Sequence, residues 1–153
     1  MPRTKPTAKL FAALILLLFL ALWIGIRLHR QHMVLSVPTE HISYVTITSP
    51  DHGPRILEYA QHRDVLDRAA QLLTARFTYA GQWSGRGFSG GAPISICFYN
   101  EAGRVLAQVG YRNGLIYVRS PLSKDFLLYR REDLLLDLSF LEEYAQQHGR
   151  FHR

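Results

Sequence analysis

The chain has a single cysteine, Cys97, among its 153 residues, so no disulfide can form within it. A domain without disulfides has to be stabilised by its hydrophobic core. Cys97 lies in the alternating segment ISICFYN. This pattern favours a small buried side chain on a strand, because a reactive thiolate needs an activating neighbour that the sequence does not show.

Acidic residues are missing from the first 32 positions, which contain five of the 18 Lys and Arg residues. Residues 33–153 therefore hold 13 basic and all 12 acidic residues and are nearly neutral. The net charge of +6 reflects the N-terminal segment, where cations can meet anionic lipid headgroups. A basic stripe with interleaved aromatic residues is absent, so we expect no nucleic-acid partner.

Sequence motifs that define a reaction are also absent. Gly85, Gly87 and Gly90 form G-x-G-x-x-G, but a strand follows them, whereas a dinucleotide site requires a helix there. Ser89 lies in a G-x-S-x-G match, residues 87–91, but a strand follows it, so neither Ser84 nor Ser89 has the strand-to-helix context of a nucleophile elbow. The seven histidines lack the spacing of known metal motifs. We therefore predict no catalytic residue, no cofactor and no metal site.

One long apolar run is present, LFAALILLLFLALWIGI, at residues 10–26. Arg3, Lys5 and Lys9 precede it, and Arg27 and Arg30 follow. Its length is close to the roughly 17 to 25 residues that span a bilayer, which predicts a membrane anchor over residues 10–28. The alternatives are a buried helix and a cleaved signal, but no small-residue cleavage site follows Ala21.

The flanking charges predict the orientation of this segment. Lys and Arg residues in short loops favour the cytoplasmic side, and the N-terminal flank has three of them against two on the other side. We therefore predict a single-pass protein of the cell membrane. The expected layout is a basic cytoplasmic arm (1–9), the anchor in the lipid bilayer (10–28), a juxtamembrane linker (29–40), an extracytoplasmic domain (41–149) and a tail (150–153).

Hydrophobic periodicity indicates the elements of that domain. Alternation predicts strands at 41–48, 94–99, 104–111, 115–119 and 126–130, with an ambiguous segment at 56–59. Apolar residues recur at intervals of three and four over 62–76, with Phe77 continuing the stripe, which predicts a helix. A second stripe, Leu134, Leu135, Leu138, Leu141 and Ala145, predicts a closing helix that ends at Gly149.

This order of elements predicts an α+β fold. We expect an N-terminal transmembrane helix followed by a small domain in which an antiparallel β-meander packs against two helices. The Asn113-Gly114 turn between two of the strands is a strong hairpin signal. It supports the fold and carries no functional information.

The glycine-rich stretch from Gly81 to Gly91 contains the candidate partner-binding residues Trp83, Arg86 and Phe88. Large aromatic residues in such a segment can form a binding surface, because they supply a large contact area. The alternative is that Trp83 and Phe88 fold back over the edge of the core.

Two function classes follow from these observations. The first is a non-catalytic binding or accessory domain, tethered to the membrane, whose partner is another envelope or membrane protein. The second is a small-ligand-binding or enzymatic domain with a pocket between sheet and helices, to which Tyr99, Tyr111, Tyr117 and Tyr129 would contribute hydroxyl groups. A deep polar pocket would favour the second class, and an exposed apolar patch near Trp83 would favour the first.

Overall fold

The computed structural model describes residues 6–84, 93–120 and 124–151, and within them it contains three α-helices and nine β-strands. The helices are α1 (Pro6–Gln31), α2 (Tyr59–Leu73) and α3 (Ser139–His148). The strands are β1 (His32–Leu35), β2 (Tyr44–Ser49), β3 (Gly53–Glu58), β4 (Ala75–Trp83), β5 (Ile94–Tyr99), β6 (Val105–Arg112), β7 (Leu115–Arg119), β8 (Phe126–Arg131) and β9 (Arg150–Phe151). The prediction of an α+β fold with an antiparallel sheet is confirmed.

Residues 1–32 and 33–153 form two separate compact units. The first unit contains α1, whose segment Leu10–Arg27 has a mean hydropathy of 2.5 and is long and apolar enough to cross a membrane. A secretory signal sequence near an N-terminus can meet the same criteria of length and apolar composition. The structure thus has the expected N-terminal apolar helix. Within the range predicted as a linker it has β1 and a 3₁₀ turn at Thr39–His41.

The nine strands of the second unit form one sheet with the order β1-β4-β8-β7-β6-β5-β2-β3-β9. Strands β5, β6 and β7 are the expected meander, and β8, predicted as a separate short strand, continues it; each is paired antiparallel with the next. The meander lies between β2 and β4 in the sheet, although only β3 and α2 separate these two strands in the chain. This insertion places residues from both halves of the domain on neighbouring strands.

The core lies on one face of the sheet. It combines α2 and α3 residues with alternate residues of the strands, which share one cluster of buried side chains. From the helices the cluster includes Leu66, Ala69, Ala70, Leu73, Leu141 and Ala145, and from the strands Val45, Ile47, Leu57, Phe77, Ile96, Phe98, Val109 and Ile116. We call this face of the sheet the helix face.

Helix α2 is displaced from the predicted range of 62–76. It begins at Tyr59 and ends at Leu73. At the next residue, Thr74, the hydroxyl group and the backbone N–H both bond to the Ala70 carbonyl, at 2.9 and 2.8 Å. The chain then continues as β4, so Phe77 is a buried strand residue and not part of the helical stripe.

Helix α3 begins at Ser139, so the prediction that it includes Leu134 and Leu135 is wrong. These two side chains are 53% and 85% exposed, whereas Leu136 and Leu138 alternate into the core. The cause lies at Asp137, whose Oδ1 accepts hydrogen bonds from the Ser139 hydroxyl at 2.7 Å and from its backbone N–H at 3.0 Å. This local turn starts the helix later than the apolar pattern indicates. The predicted end at Gly149 is confirmed.

Candidate functional site

The second face of the sheet carries a row of directly paired residues that crosses six strands. Residues opposite each other in antiparallel strands point to the same face. The row therefore lies on one face, and it consists of Thr48, Ser95, Gly110, Tyr117, Leu128 and Gly81. Tyr117 and Leu128 are buried but do not belong to the core cluster, which shows that they face away from α2 and α3. We call this side the open face.

A β-bulge places Trp83 on the open face. In β4, Tyr79 is paired with Tyr129 of the helix face, but the register shifts before Gly81, which is paired with Leu128 of the open face. The extra residue, Ala80, reverses the alternation. In a regular strand of the same sequence, with no bulge, Trp83 would point to the same face as Phe77, because the two residues are an even number of positions apart.

Three aromatic rings meet on the open face. Trp83 and Phe126 are directly paired, and their ring centroids are 5.5 Å apart. The Trp83 and Tyr117 rings are in edge-to-face contact, with centroids 5.7 Å apart and planes at 88°. Such pairs add about 0.5–1.5 kcal/mol beyond the area that they bury. The three side chains therefore hold one another in place.

These rings form one wall of a groove of about 580 Å³, which we call the aromatic groove. Its other lining residues are Pro93, Ser95, Gln108, Val109, Gly110, Val118 and Arg119. Gly110 provides the space for the phenol ring, because a Cβ at this position would lie 3.0 Å from Cβ of Tyr117 and 3.3 Å from Pro93. The Tyr117 side chain thus covers the backbone of β6 at Gly110, which has no side chain of its own.

Two cations, Arg112 and Arg119, lie near the aromatic groove. Burial raises the pKa of Tyr117, and the charge of Arg112 partly opposes this shift. Arg119 is exposed and is the charged residue among the lining residues that the structure describes. No carboxylate within the described ranges forms an ion pair with it. The neighbouring Asp125 accepts a hydrogen bond from Gln82 at 2.5 Å.

Of the three predicted partner-binding residues, Trp83 lies in the aromatic groove, whereas Arg86 and Phe88 lie outside the described residues. Sequence reasoning missed Phe126 and Arg119, and it assigned Tyr117 to a pocket between sheet and helices and not to a cluster with Trp83. These residues come from the two strands that follow β4 in the sheet. The alternating residue pattern that predicts β7 and β8 as strands was visible in the sequence. The bulge that brings Trp83 to them had no clear sequence signal beyond Gly81.

A second, more polar cavity of about 430 Å³ lies between one end of the sheet and α3. Its polar groups are bonded to one another. The Ser49 hydroxyl donates to Oε1 of Glu142 at 2.5 Å, and the Tyr111 hydroxyl lies 3.4 Å from Oδ1 of Asp137. The hydroxyl and backbone N–H of Ser139 hold the pKa of Asp137 below its usual range. These partners leave fewer groups in the cavity to recognise a ligand.

The four tyrosines considered for a pocket between sheet and helices do not converge. Tyr111 and Tyr129 lie on the helix face, in the core cluster. Tyr117 and Tyr99 lie on the open face, where Tyr99 stacks on Tyr44 with centroids 4.7 Å apart. Only Tyr111 lines the polar cavity.

No group of three or more metal-ligating side chains occurs within the described residues. His62 and His148 both contact Tyr144, the first through Nδ1 and the tyrosine hydroxyl at 3.1 Å and the second by ring stacking at 4.3 Å. Their ring centroids are 6.3 Å apart. Cys97 is buried, as the alternation of its strand predicted.

The second unit is thus a mixed domain, with a nine-stranded antiparallel sheet that has a helix-covered core on one face and an aromatic groove on the other. Comparisons of the chain with protein-family models, with curated proteins and with solved structures find no match.

Proposed function

We propose that this chain is a single-pass membrane protein whose domain binds a segment of another envelope or membrane protein in the aromatic groove. The observation that carries the proposal is the cluster of Trp83, Tyr117 and Phe126 on the open face. Trp and Tyr residues dominate the binding energy of many interfaces, because each buries a large area with few rotatable bonds. A groove with aromatic walls and few polar groups also suits an extended peptide.

The anchor is α1, inserted through residues 10–28, with the N-terminus in the cytoplasm and the domain outside it. The proposal is supported by the exposed apolar side chains of Leu10–Arg27 and by the flanking charges. Trp23 and Arg27 also fit a membrane interface, since the guanidinium carbon of Arg27 lies 5.4 Å from the indole centroid. A binding module needs such a tether to meet membrane partners at high local concentration.

Fusion of reporters tests the anchor and its orientation. An enzyme that is active only outside the cytoplasm, fused after Arg153, should be active, and a reporter that is active only in the cytoplasm should be silent. The mass of the membrane-extracted chain should include residues 1–28. A shortened mass would show a cleaved signal, and the opposite reporter pattern would place the domain in the cytoplasm.

Site-specific photo-crosslinking tests the groove. A photoreactive amino acid at Gln108, which is exposed and lines the aromatic groove, should give an adduct with one identified membrane or envelope protein in the native cell. The same amino acid at Leu135, which is 85% exposed, is the matched control. Trp83→Ala should abolish the adduct at position 108. Equal adducts from both positions, or none from position 108, would contradict the proposal.

The second candidate function is small-ligand binding in the polar cavity. It is favoured by the convergence of Ser49, Asp137 and Glu142 on about 430 Å³. We place it second because these groups are bonded within the chain, as described above. Ligand-induced thermal stabilisation that Glu142→Gln removes and Trp83→Ala preserves would reverse this order.

A further inference from the structure

The aromatic groove joins an apolar wall to a single exposed cation, and this pairing restricts the chemistry of its ligand. Among the lining residues that the structure describes, none is acidic, and Arg119 stands at one end of the row that contains Phe126 and Trp83. Arg119 and Trp83 are both paired with Phe126, so they lie on the two strands that flank β8. The apolar and cationic parts of the groove are therefore fixed relative to each other.

The distance between them follows from the geometry of a sheet. Neighbouring strands lie about 4.8 Å apart, which places the backbones of Arg119 and Trp83 about 10 Å apart across β8. An extended peptide rises about 3.3 Å per residue, so three residues cover this distance. Because the side chains of the peptide and of the groove extend toward each other, a separation of two peptide residues is also sufficient.

A second cation, Arg112, lies near Tyr117. The charge of Arg112 acts on the Tyr117 hydroxyl. Arg112 is paired with Leu115, which precedes Tyr117 by two residues in β7, and Arg119 follows Tyr117 by two residues. The two cations therefore lie toward opposite ends of Tyr117 along β7. A guanidinium group binds a carboxylate by two parallel hydrogen bonds, which supplies direction as well as attraction. A neutral or cationic ligand would leave Arg119 without this partner.

We propose that the aromatic groove recognises an extended peptide segment that presents a large apolar side chain to Trp83 and Tyr117 and, two or three residues away, an Asp or Glu to Arg119. This inference rests on the proposed function and specifies its ligand. The apolar side chain supplies most of the binding energy through burial against the rings. The carboxylate sets the direction of the segment and excludes basic sequences.

The test is a selection of displayed eight-residue random peptides on the full-length chain in nanodiscs, with empty nanodiscs as the counter-selection. Enriched peptides should combine a large apolar residue with an acidic residue two or three positions away. Selected synthetic peptides should bind at least tenfold more weakly after Trp83→Ala or Arg119→Glu. Replacing their acidic residue with Lys should restore binding to the Arg119→Glu chain.

The matched control is Arg104→Glu, which makes the same change in charge at an exposed turn residue outside the groove. It should leave peptide binding unchanged, and thermal unfolding should show that both variants are folded. Peptides that need Trp83 but are insensitive to Arg119→Glu would overturn the acidic ligand and leave the proposed function standing. Binding that is insensitive to Trp83→Ala would overturn both. If no peptide is enriched, the peptide ligand is wrong, and cross-linking at position 108 decides the proposed function separately.

Discussion

The indole ring of Trp83 and the phenol ring of Tyr117 are in edge-to-face contact at 5.7 Å, although β8 separates their strands in the sheet. The contact requires the bulge in β4, which turns Trp83 to the open face, and the bare backbone of Gly110 beside Tyr117. Both conditions are local, so each can be tested by a single substitution.

Trp83→Ala should lower the free energy of unfolding only moderately. Trp83 is half-buried, and loss of its two ring contacts should cost about 1–2 kcal/mol. Phe77→Ala on the same strand is the comparison, because deleting a fully buried Phe costs about 3–5 kcal/mol. Urea unfolding of the full-length chain in micelles, followed by circular dichroism, gives both values. Equal losses would mean that Trp83 is a core residue and would contradict the groove.

Gly81→Val should disrupt the bulge. Gly81 has a φ of 154°, which a β-branched residue rarely adopts, and such strain costs about 1–3 kcal/mol. The near-ultraviolet circular dichroism of the full-length chain should decrease, because the coupling of Trp83 with Tyr117 weakens. Thr78→Val, an exposed residue on the regular part of β4, is the control and should preserve the signal. An unchanged spectrum in the Gly81 variant would show that the bulge does not depend on glycine.

The Ser49 and Glu142 side chains should show coupling in a double-mutant cycle. Their hydrogen bond links β2 to α3, and Ser49 is only 5% exposed. Each alanine substitution should cost about 1–2 kcal/mol, and the double variant should cost less than their sum. Glu143→Ala, on the exposed side of α3, should have little effect. Additive losses would show that the hydrogen bond does not contribute to stability.

Asp137→Asn should make stability less dependent on acid pH. Hydrogen bonds from Ser139 hold the pKa of Asp137 in the folded state below the unfolded value of about 3.9. A lowered folded pKa stabilises the protein above the unfolded pKa, and this contribution disappears as the pH falls through the folded pKa. The Tm difference between wild type and variant should therefore be largest at neutral pH and decrease below about pH 4.

The matched control for Asp137→Asn is Asp64→Asn, which removes an exposed carboxylate from α2. It should change Tm only slightly across the same pH series. A Tm difference for Asp137→Asn that grows as the pH falls would contradict the assigned direction of the pKa shift.

Gly149→Ala should destabilise the pairing of β9 with β3. The reason is space and not conformation, because Gly149 has a φ of −77° and a Cβ would lie 2.5 Å from the Ala145 carbonyl oxygen and 2.9 Å from Cβ of Arg55. Overpacking of this kind costs about 1–3 kcal/mol. Amide hydrogen exchange should accelerate at Arg55 and Ile56, which are paired with β9. Gln147→Ala, on the exposed side of α3, should leave the exchange rates unchanged.

Local patterns predicted much of the fold. Alternation located the strands of the meander, the Asn113-Gly114 turn was recognised, and Gly149 marked the end of α3. The misassigned segments share a cause. Phe77 and Leu134 continue a helical stripe in the sequence, but Thr74 and Asp137 form side-chain hydrogen bonds that end or delay the helix. Such polar contacts compete with periodicity and are not visible in it.

The candidate site was less accessible to sequence reasoning. Trp83 was identified because a large aromatic residue beside glycines is conspicuous. Tyr117 and Arg119 are distant in the chain, and their proximity depends on the order of strands in the sheet. The strand order is a property of the whole sheet, so no window of sequence contains it, and one glycine does not by itself identify a bulge.

The insertion of the meander between β2 and β4 has a consequence for the folding kinetics of the domain. Arg112 and Leu115 can pair as soon as their hairpin turn forms, but Tyr44 must find Tyr99, and Phe77 must find Arg131, across more than 50 residues of chain. Closing such long loops costs entropy before any contact compensates for it, which slows folding. The meander is therefore the natural nucleus, and until β2 and β4 dock on its two sides the nascent chain exposes both of its unpaired edges.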